Sequence, residues 1–331
     1  MTKLRYPVLM PALLLLLTLM LFLSLMIGKY PLSPRAVWTG LWDPGTAEAD
    51  GLVIWQLRLP RAVAAALIGA ALSAAGAAYQ TMFRNPLVSP DILGVSAGAG
   101  LGAAFGIFLG LSLWWVQGLA FIGGLCAVAL VYVIASAARR RDAILILVLA
   151  GVAIGAMLGA GISLLKLLAD PYSQLPSITF WLMGGLHAIT GNDLPWLAPG
   201  LLVALLPLFL LRWRTNLLSL PDDEARALGQ HPMQLRSLMI LAATLMTACA
   251  VSFSGIIGWV GLIIPHIARL LVGAEFSRLL PASLLLGASF LVATDLLARS
   301  IAPIELPLGL LTSLLGAPFF LMLLLKTREQ S

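Results

Sequence analysis

The chain has 331 residues, of which 60% are apolar and only 10% charged, where an ordinary soluble domain carries roughly 25% charged residues. So few charges cannot cover a water-facing surface, which excludes a soluble enzyme, a disordered tail and a secreted disulfide scaffold. The apolar total leaves room for about ten membrane-crossing helices of about 20 residues each, and the formal net charge of +6 fits the Lys and Arg that membrane proteins place in cytoplasmic loops better than it fits a nucleic-acid partner.

Lys3 and Arg5 precede an apolar run from Val8 to Ile27. The run is longer than the roughly 7–15 residues of a signal-peptide core, and it leads into Gly28-Lys29-Tyr30, so an uncleaved first helix is expected. Further spans are expected at 61–82, 93–111, 114–137, 143–168, 194–211, 234–254, 257–272, 280–298 and 306–325. Residues 174–190 are apolar but broken by Pro176 and Gly184-Gly185, which predicts a short half-inserted helix. The fold class is therefore all-α: one polytopic membrane domain over 1–331 with about ten spans.

Sidedness follows from the basic residues. With the N-terminus inside and ten alternating spans, Lys3, Arg5, Arg84, Arg139, Arg140, Arg141, Arg212, Arg214, Arg226, Arg236, Arg269, Arg278, Lys326 and Arg328 fall inside. Lys29, Arg35, Arg58, Arg61, Lys166 and Arg299 fall outside. That asymmetry satisfies the positive-inside rule and predicts that both termini are cytoplasmic. Trp114, Trp115 and Trp196 lie near span ends, where interfacial aromatics belong.

Glycines recur every fourth residue at Gly94, Gly98, Gly102, Gly106 and Gly110, and again at Gly151, Gly155 and Gly159. Such stripes let helix backbones approach in lipid. They serve either ordinary packing within the chain or a seam with another subunit. Cys126 and Cys249 sit in apolar runs as packing thiols. His187, His231 and His266 have no Cys or carboxylate spacing around them that makes a ligand set, so no metal site is expected.

The longest cytoplasmic connection covers about 213–233. In it Ser219 can cap a helix, Pro221 suits an early helical position, and Asp222, Asp223 and Glu224 suit the positive end of a helix dipole. Gly229 suits a stop, followed by Pro232. A helix over about 221–228 is too short to stand alone in water, so it must dock on its own membrane domain or on another protein.

At this point a set of motifs lines up. Arg58-Leu59-Pro60-Arg61, Gly69-Ala70-Ala71-Leu72, Gln80, Arg84-Asn85-Pro86-Leu87 and Leu93-Gly94-Val95 are followed by Ala150-Gly151-Val152-Ala153 and Trp181-Leu182-Met183-Gly184-Gly185. Gly258-Trp259-Val260-Gly261-Leu262-Ile263-Ile264-Pro265-His266, Asp295-Leu296-Leu297-Ala298-Arg299, Glu305-Leu306-Pro307 and Gly316-Ala317-Pro318 complete the series. In order and spacing the chain resembles the permease subunits of ABC importers for cobalamin, ferric siderophores and haem.

The resemblance implies ten helices per subunit and a bacterial inner-membrane location. It implies a second permease copy or a homologous permease, two ATP-binding subunits that hold ATP and Mg, and a periplasmic substrate-binding protein. No cofactor is expected on this chain, which has no GxxxxGK[ST] phosphate loop. The 221–228 helix is similar to the coupling helix that sits in a groove of the ATPase, which assigns that contact to Asp222, Glu224, Ala225, Arg226, Leu228 and Gly229. Arg58, Arg61 and Arg299 match outer-face arginines that dock the binding protein. The residues themselves also allow Arg299 to pair with Asp295 one turn away and the other two to anchor a helix end. Asn85 and Leu87 match a cytoplasmic gate, although Asn85-Pro86 could equally be a plain turn. Where the cobalamin permease has a hydroxyl-rich outer turn, this chain reads Ala169-Asp170-Pro171-Tyr172, with Asp170 placed to pair with Lys166. That departure counts against cobalamin. An iron chelate, ferric siderophore or haem, is the expected cargo, with cobalamin or molybdate as the alternatives. An ion-coupled transporter is disfavoured because the candidate ionisable residues sit near span ends, and an intramembrane enzyme because no catalytic constellation is present.

Overall fold

The computed structural model describes residues 6–42, 48–137 and 143–328. Lys3, Arg5, Arg139, Arg140 and Arg141, counted above for sidedness, lie outside them, as do both chain ends. The described residues form α1 (Tyr6–Met26), the short outer helices α2 (Pro34–Trp42) and α3 (Glu48–Leu52), and then α4 (Leu59–Met82), α5 (Val95–Phe108), α6 (Leu113–Ala137) and α7 (Ala143–Leu168). After them come α8 (Gln174–Met183), α9 (Leu194–Leu210), α10 (Arg212–Thr215), α11 (Asp222–Ala227), α12 (Pro232–Ser254), α13 (Val260–Val272), α14 (Phe276–Ser300) and α15 (Leu308–Arg328). No β-strand occurs among the described residues.

Six helices are long and apolar enough to cross a membrane: α1, a continuous helix Ala49–Met82 that contains α4, α6, α7, α12 and α14. The helix α9 bends by 60° into the segment Arg212–Ser219 and counts with it as a seventh. The helices α5, α13 and α15 are apolar but shorter over their described lengths. Each apolar segment read from the sequence thus holds a helix, and the interrupted stretch 174–190 holds α8, which ends at Gly184 with φ +70°.

The helix α4 is the axis of the bundle. Within the chain, 78% of its apolar window is buried, with 72% for α12 and 61% for α14, while α1 and α7 stand at the periphery with 22% each. Its central sequence is nearly all Gly, Ala and Ser because neighbouring backbones run against it. A methyl group added at Gly69 would lie 2.2 Å from the Gly287 carbonyl of α14, and one added at Gly287 would lie 2.3 Å from the Gly69 carbonyl. Gly76 approaches Gly261 of α13 just as closely. The glycine stripe of α5 does the same against α6, through Gly98 on Gly123 and Gly102 on the Leu119 carbonyl. On α7 the stripe divides: Gly151 packs on the Ile92 carbonyl, whereas a methyl group added at Gly155 or Gly159 would meet nothing within 4 Å among the described residues.

Replacing Gly287 by Val should lower stability by about 1–3 kcal/mol through overpacking, whereas Gly118→Ala on the open side of α6 should stay within about 0.5 kcal/mol of the parent. Melting of the two purified variants in detergent checks the contrast.

Candidate functional site

Two polar clusters stand out on a surface otherwise made of hydrocarbon, one at each end of α4. At the N-terminal end of α4, the outer end by the side expected from the basic residues, a π-helical turn (Val53–Arg58) precedes α4 and carries Arg58 inward. A helix ends with carbonyls that have no partner of their own, and two guanidiniums supply partners at the end of α1. Arg58 donates to the carbonyls of Leu25 (2.5 Å), Met26 (3.1 Å) and Tyr30. Arg299 donates to the carbonyls of Ser24 (2.6 Å) and Ile27 (3.1 Å) and to the Ser24 hydroxyl (2.7 Å). Asp295, 1% exposed, accepts from Arg61 (2.8 Å) and Arg299 (3.2 Å), and Glu305 accepts from Arg61 at 2.9 and 3.1 Å. The three arginines expected at the outer face are therefore together, and they are largely enclosed: Arg58 is 7% and Arg299 9% exposed.

These side chains nonetheless line a cavity of about 330 Å³ that they share with Lys29, Tyr30, His187 and Glu305. Four cations stand against two carboxylates there, so the cavity keeps an excess of positive charge. The expected Asp170–Lys166 pair is absent. Asp170 instead accepts from the Ser173 hydroxyl (2.6 Å) and amide (2.7 Å) and from the Tyr172 amide (3.1 Å), closing the turn into α8. These bonds, the Ser173 hydroxyl first, hold its carboxyl below the ordinary carboxylate value.

At the inner end, the connection between α9 and α12 folds as α10, a 3-10 turn (Asn216–Ser219) and α11. Two details correct the sequence reading. Ser219 does not cap α11 but donates back to the Asn216 carbonyl at 2.6 Å. Pro221 lies outside the helix, which runs only Asp222–Ala227, and its carbonyl accepts from the Ala225 amide. Gly229 closes the segment in the left-handed region, φ +76°.

The six residues expected to meet an ATPase divide by face. Ala225 is buried against the chain's own body. Asp222 also turns inward: it accepts from Arg236 of α12 at 2.6 and 2.7 Å and from Arg84, just past α4, at 3.3 Å. Arg236 beside it holds the Asp222 carboxyl below the ordinary carboxylate value, which favours its ionised form. Glu224, Arg226, Leu228 and Gly229 are exposed. So is Asp223, whose carboxylate lies 3.5 Å from Arg226.

Asn85 and Leu87 are exposed next to this cluster, and the Asn85 side-chain oxygen accepts from the Leu87 amide at 2.9 Å. Three partners were not read from the sequence as site residues: Arg84, Arg236 and Lys29. Arg84 opens one of the motifs, Lys29 follows the first span and Arg236 follows the coupling loop, but sequence spacing cannot say which distant carboxylate or carbonyl each meets. His231 precedes α12, His266 lies within α13 and His187 lines the outer cavity.

An all-helical membrane domain with a basic outer pocket and a short helix held under its inner face has the build of a transport permease. The chain belongs to the FecCD transport family, whose pattern matches residues 15–326. It is 41% identical over 328 residues to the molybdate import system permease protein MolB of Haemophilus influenzae, covering 98% of this chain and 97% of that one. It is 38% identical to the hemin transport system permease protein HmuU of Yersinia pestis, covering 96% and 95%. Among solved structures it superposes with a TM-score of 0.89 on an inward-facing ABC transporter described as of metal-chelate type, at 39% identity and over 97% of this chain and 99% of that one. Members of this family are permease subunits that work with separate ATPase subunits and a substrate-binding protein, and the chain is not an enzyme.

Removing the shared carboxylate by Asp295→Asn leaves the enclosed Arg299 with no carboxylate partner and Arg61 with Glu305 alone, and should cost about 3 kcal/mol or more. Glu305→Gln, at a half-exposed carboxylate, should cost less than about 1 kcal/mol. Unfolding in detergent, followed for both variants side by side, tests the ranking.

Proposed function

We propose that this chain forms half of the translocation path of an ABC importer in a bacterial cytoplasmic membrane. It pairs with a second copy of itself or with a homologous permease, and its cargo is an iron chelate, a ferric siderophore or haem. Ten spans with both termini inside place the 213–233 loop in the cytosol and the basic cavity outside. Two ATP-binding subunits, which hold ATP and Mg, meet the exposed face of α11 through Glu224, Arg226, Leu228 and Gly229, while Asp222 and Ala225 fasten that helix to the membrane domain. Closure of the ATPase pair moves α11, and the two permease halves rock about the path. ATP can drive this only because it binds the two states unequally. Asn85 and Leu87 close the path on the cytosolic side.

The reading is supported most by the two-sided character of α11: one face is bonded to its own chain, and the other presents mixed charge with none of the described residues over it. At the outer side, the excess of cations around Arg58, Arg61 and Arg299 suits a carboxylate of the binding protein, which it would steer and seat. A second cargo, molybdate, is favoured by the near full-length match to the molybdate permease.

In proteoliposomes with the cognate ATPase and binding protein, radiolabelled iron chelate should accumulate with ATP, stop with a non-hydrolysable analogue and survive an ionophore. Accumulation of molybdate alone would move the assignment to the second cargo, and uphill uptake without ATPase subunits would overturn the reading. The docking face has its own check. Lys29→Glu reverses a charge at the cavity and gives up one exposed bond, to the Pro303 carbonyl, while the Arg58 and Arg299 bonds that hold the end of α1 stay in place. It should raise the binding-protein concentration for half-maximal ATPase stimulation on the order of tenfold at low salt, with an unchanged maximal rate and a smaller difference at high salt.

A further inference from the structure

Arg84 joins two parts of the inner face that the chain keeps more than a hundred residues apart. Its Nε donates to the Leu218 carbonyl at 2.8 Å, and its Nη2 donates to the Leu220 carbonyl and, at 3.3 Å, to Asp222. Two carbonyls and a carboxylate on one planar guanidinium fix the orientation of the 218–222 segment as well as its distance, which the point charge of a lysine cannot do. The other side of the Asp222 carboxylate is held by Arg236 at the start of α12.

On its own strand of the connection, Arg84 adjoins the gate loop directly. Its backbone sits at φ +50°, a region that non-glycine residues rarely occupy. The next amide, that of Asn85, is bonded back to the Gln80 carbonyl at 3.1 Å. Gln80 in turn is fully buried and donates from its side chain to the Leu262 carbonyl of α13 at 2.9 Å. The turn at Arg84 and Asn85 is therefore held from both sides, by Gln80 of α4 and by the 218–222 segment, and a displacement of Arg84 passes to Asn85 through one peptide bond. The ion pair is half-exposed, with side chains 36% and 40% accessible, so its strength as a surface pair is small. Its effect lies in geometry.

We propose that Arg84, Asp222 and Arg236 are positioning residues that make α11 and the loop carrying Asn85 and Leu87 move as one body. This rests on the coupling role proposed for α11 and adds the route by which movement reaches the gate.

The test uses the full permease–ATPase complex with its binding protein in proteoliposomes. In a background with Cys126 and Cys249 replaced by Ala, Leu87→Cys carries a spin label as a reporter of the gate loop. With Arg84 intact, the label spectrum should change when a non-hydrolysable ATP analogue is added. With Arg84→Gln, ATP hydrolysis should stay within about twofold, uptake should fall at least tenfold, and the label should cease to respond. Arg84→Lys should lie between the two, and it carries the test should the Gln variant fail to fold. The exchange D222R/R236D restores the α11–α12 pair but sets a cation against Arg84, so it should stay as deficient as Arg84→Gln. Normal uptake or a normal label response in Arg84→Gln, or recovery in the exchange variant, would overturn the proposal. If the label does not respond to nucleotide even with Arg84 intact, the coupling reading itself fails, and the linkage falls with it.

Discussion

Lipid gives helices no hydrophobic reason to associate, because a leucine is as well placed against an acyl chain as against another leucine. The central helix α4 is instead held by close backbone contact along its length and by polar ties at its ends. Gly69 and Gly76 bring it against Gly287 and Gly261. At the outer end Arg61 reaches Asp295 and Glu305, and at the inner end Gln80 and Arg84 reach the Leu262, Leu218 and Leu220 carbonyls. A tilt of α4 would disturb both ends at once.

The two ends differ in how readily their ties can be remade. The outer cluster is enclosed, and removing one ion there strands another in a medium where desolvation is costly. The inner cluster is half in water, where exchanging one partner for another costs little. The carbonyls at the end of α1, answered by Arg58 and Arg299 rather than by water, make α1, α4 and α14 a single outer unit.

The spans were legible because about twenty consecutive apolar residues have few alternatives to crossing a bilayer, and α8 because Pro176 and Gly184-Gly185 interrupt such a run. The stop of α11 was legible for a similar reason, since Gly229 adopts a left-handed conformation that few other residues tolerate. Partner choice was not legible. Asp170 stands one turn from Lys166, and sequence spacing favours that pair, yet the backbone amides and hydroxyl of its own turn are nearer and need no long side chain to be ordered. Asp222 has the composition of a helix-start acid, and nothing local reveals that Arg84 and Arg236 converge on it; that depends on how α4 and α12 cross.

The sequence left two roles open for the outer arginines, holding a helix end or receiving a partner, and the geometry makes them compatible. A guanidinium has five N–H donors. Arg61 spends its Nε on Asp295 and its Nη1 on Glu305, and no bond from its Nη2 occurs among the described residues. Glu305 is itself half-exposed at the cavity wall. An incoming carboxylate could therefore take up Nη2, or displace Glu305, without disturbing the Asp295 bond that secures α14. Arg58 and Arg299 have less freedom, because their donors already answer the end of α1. Their contribution to docking would be long-range charge, with Arg61 making the direct contact. Interchangeable roles for the three arginines would contradict this division of the proposed docking role, because it leaves Arg58 and Arg299 a structural cost alone and gives Arg61 both a structural cost, through Asp295, and the loss of partner affinity.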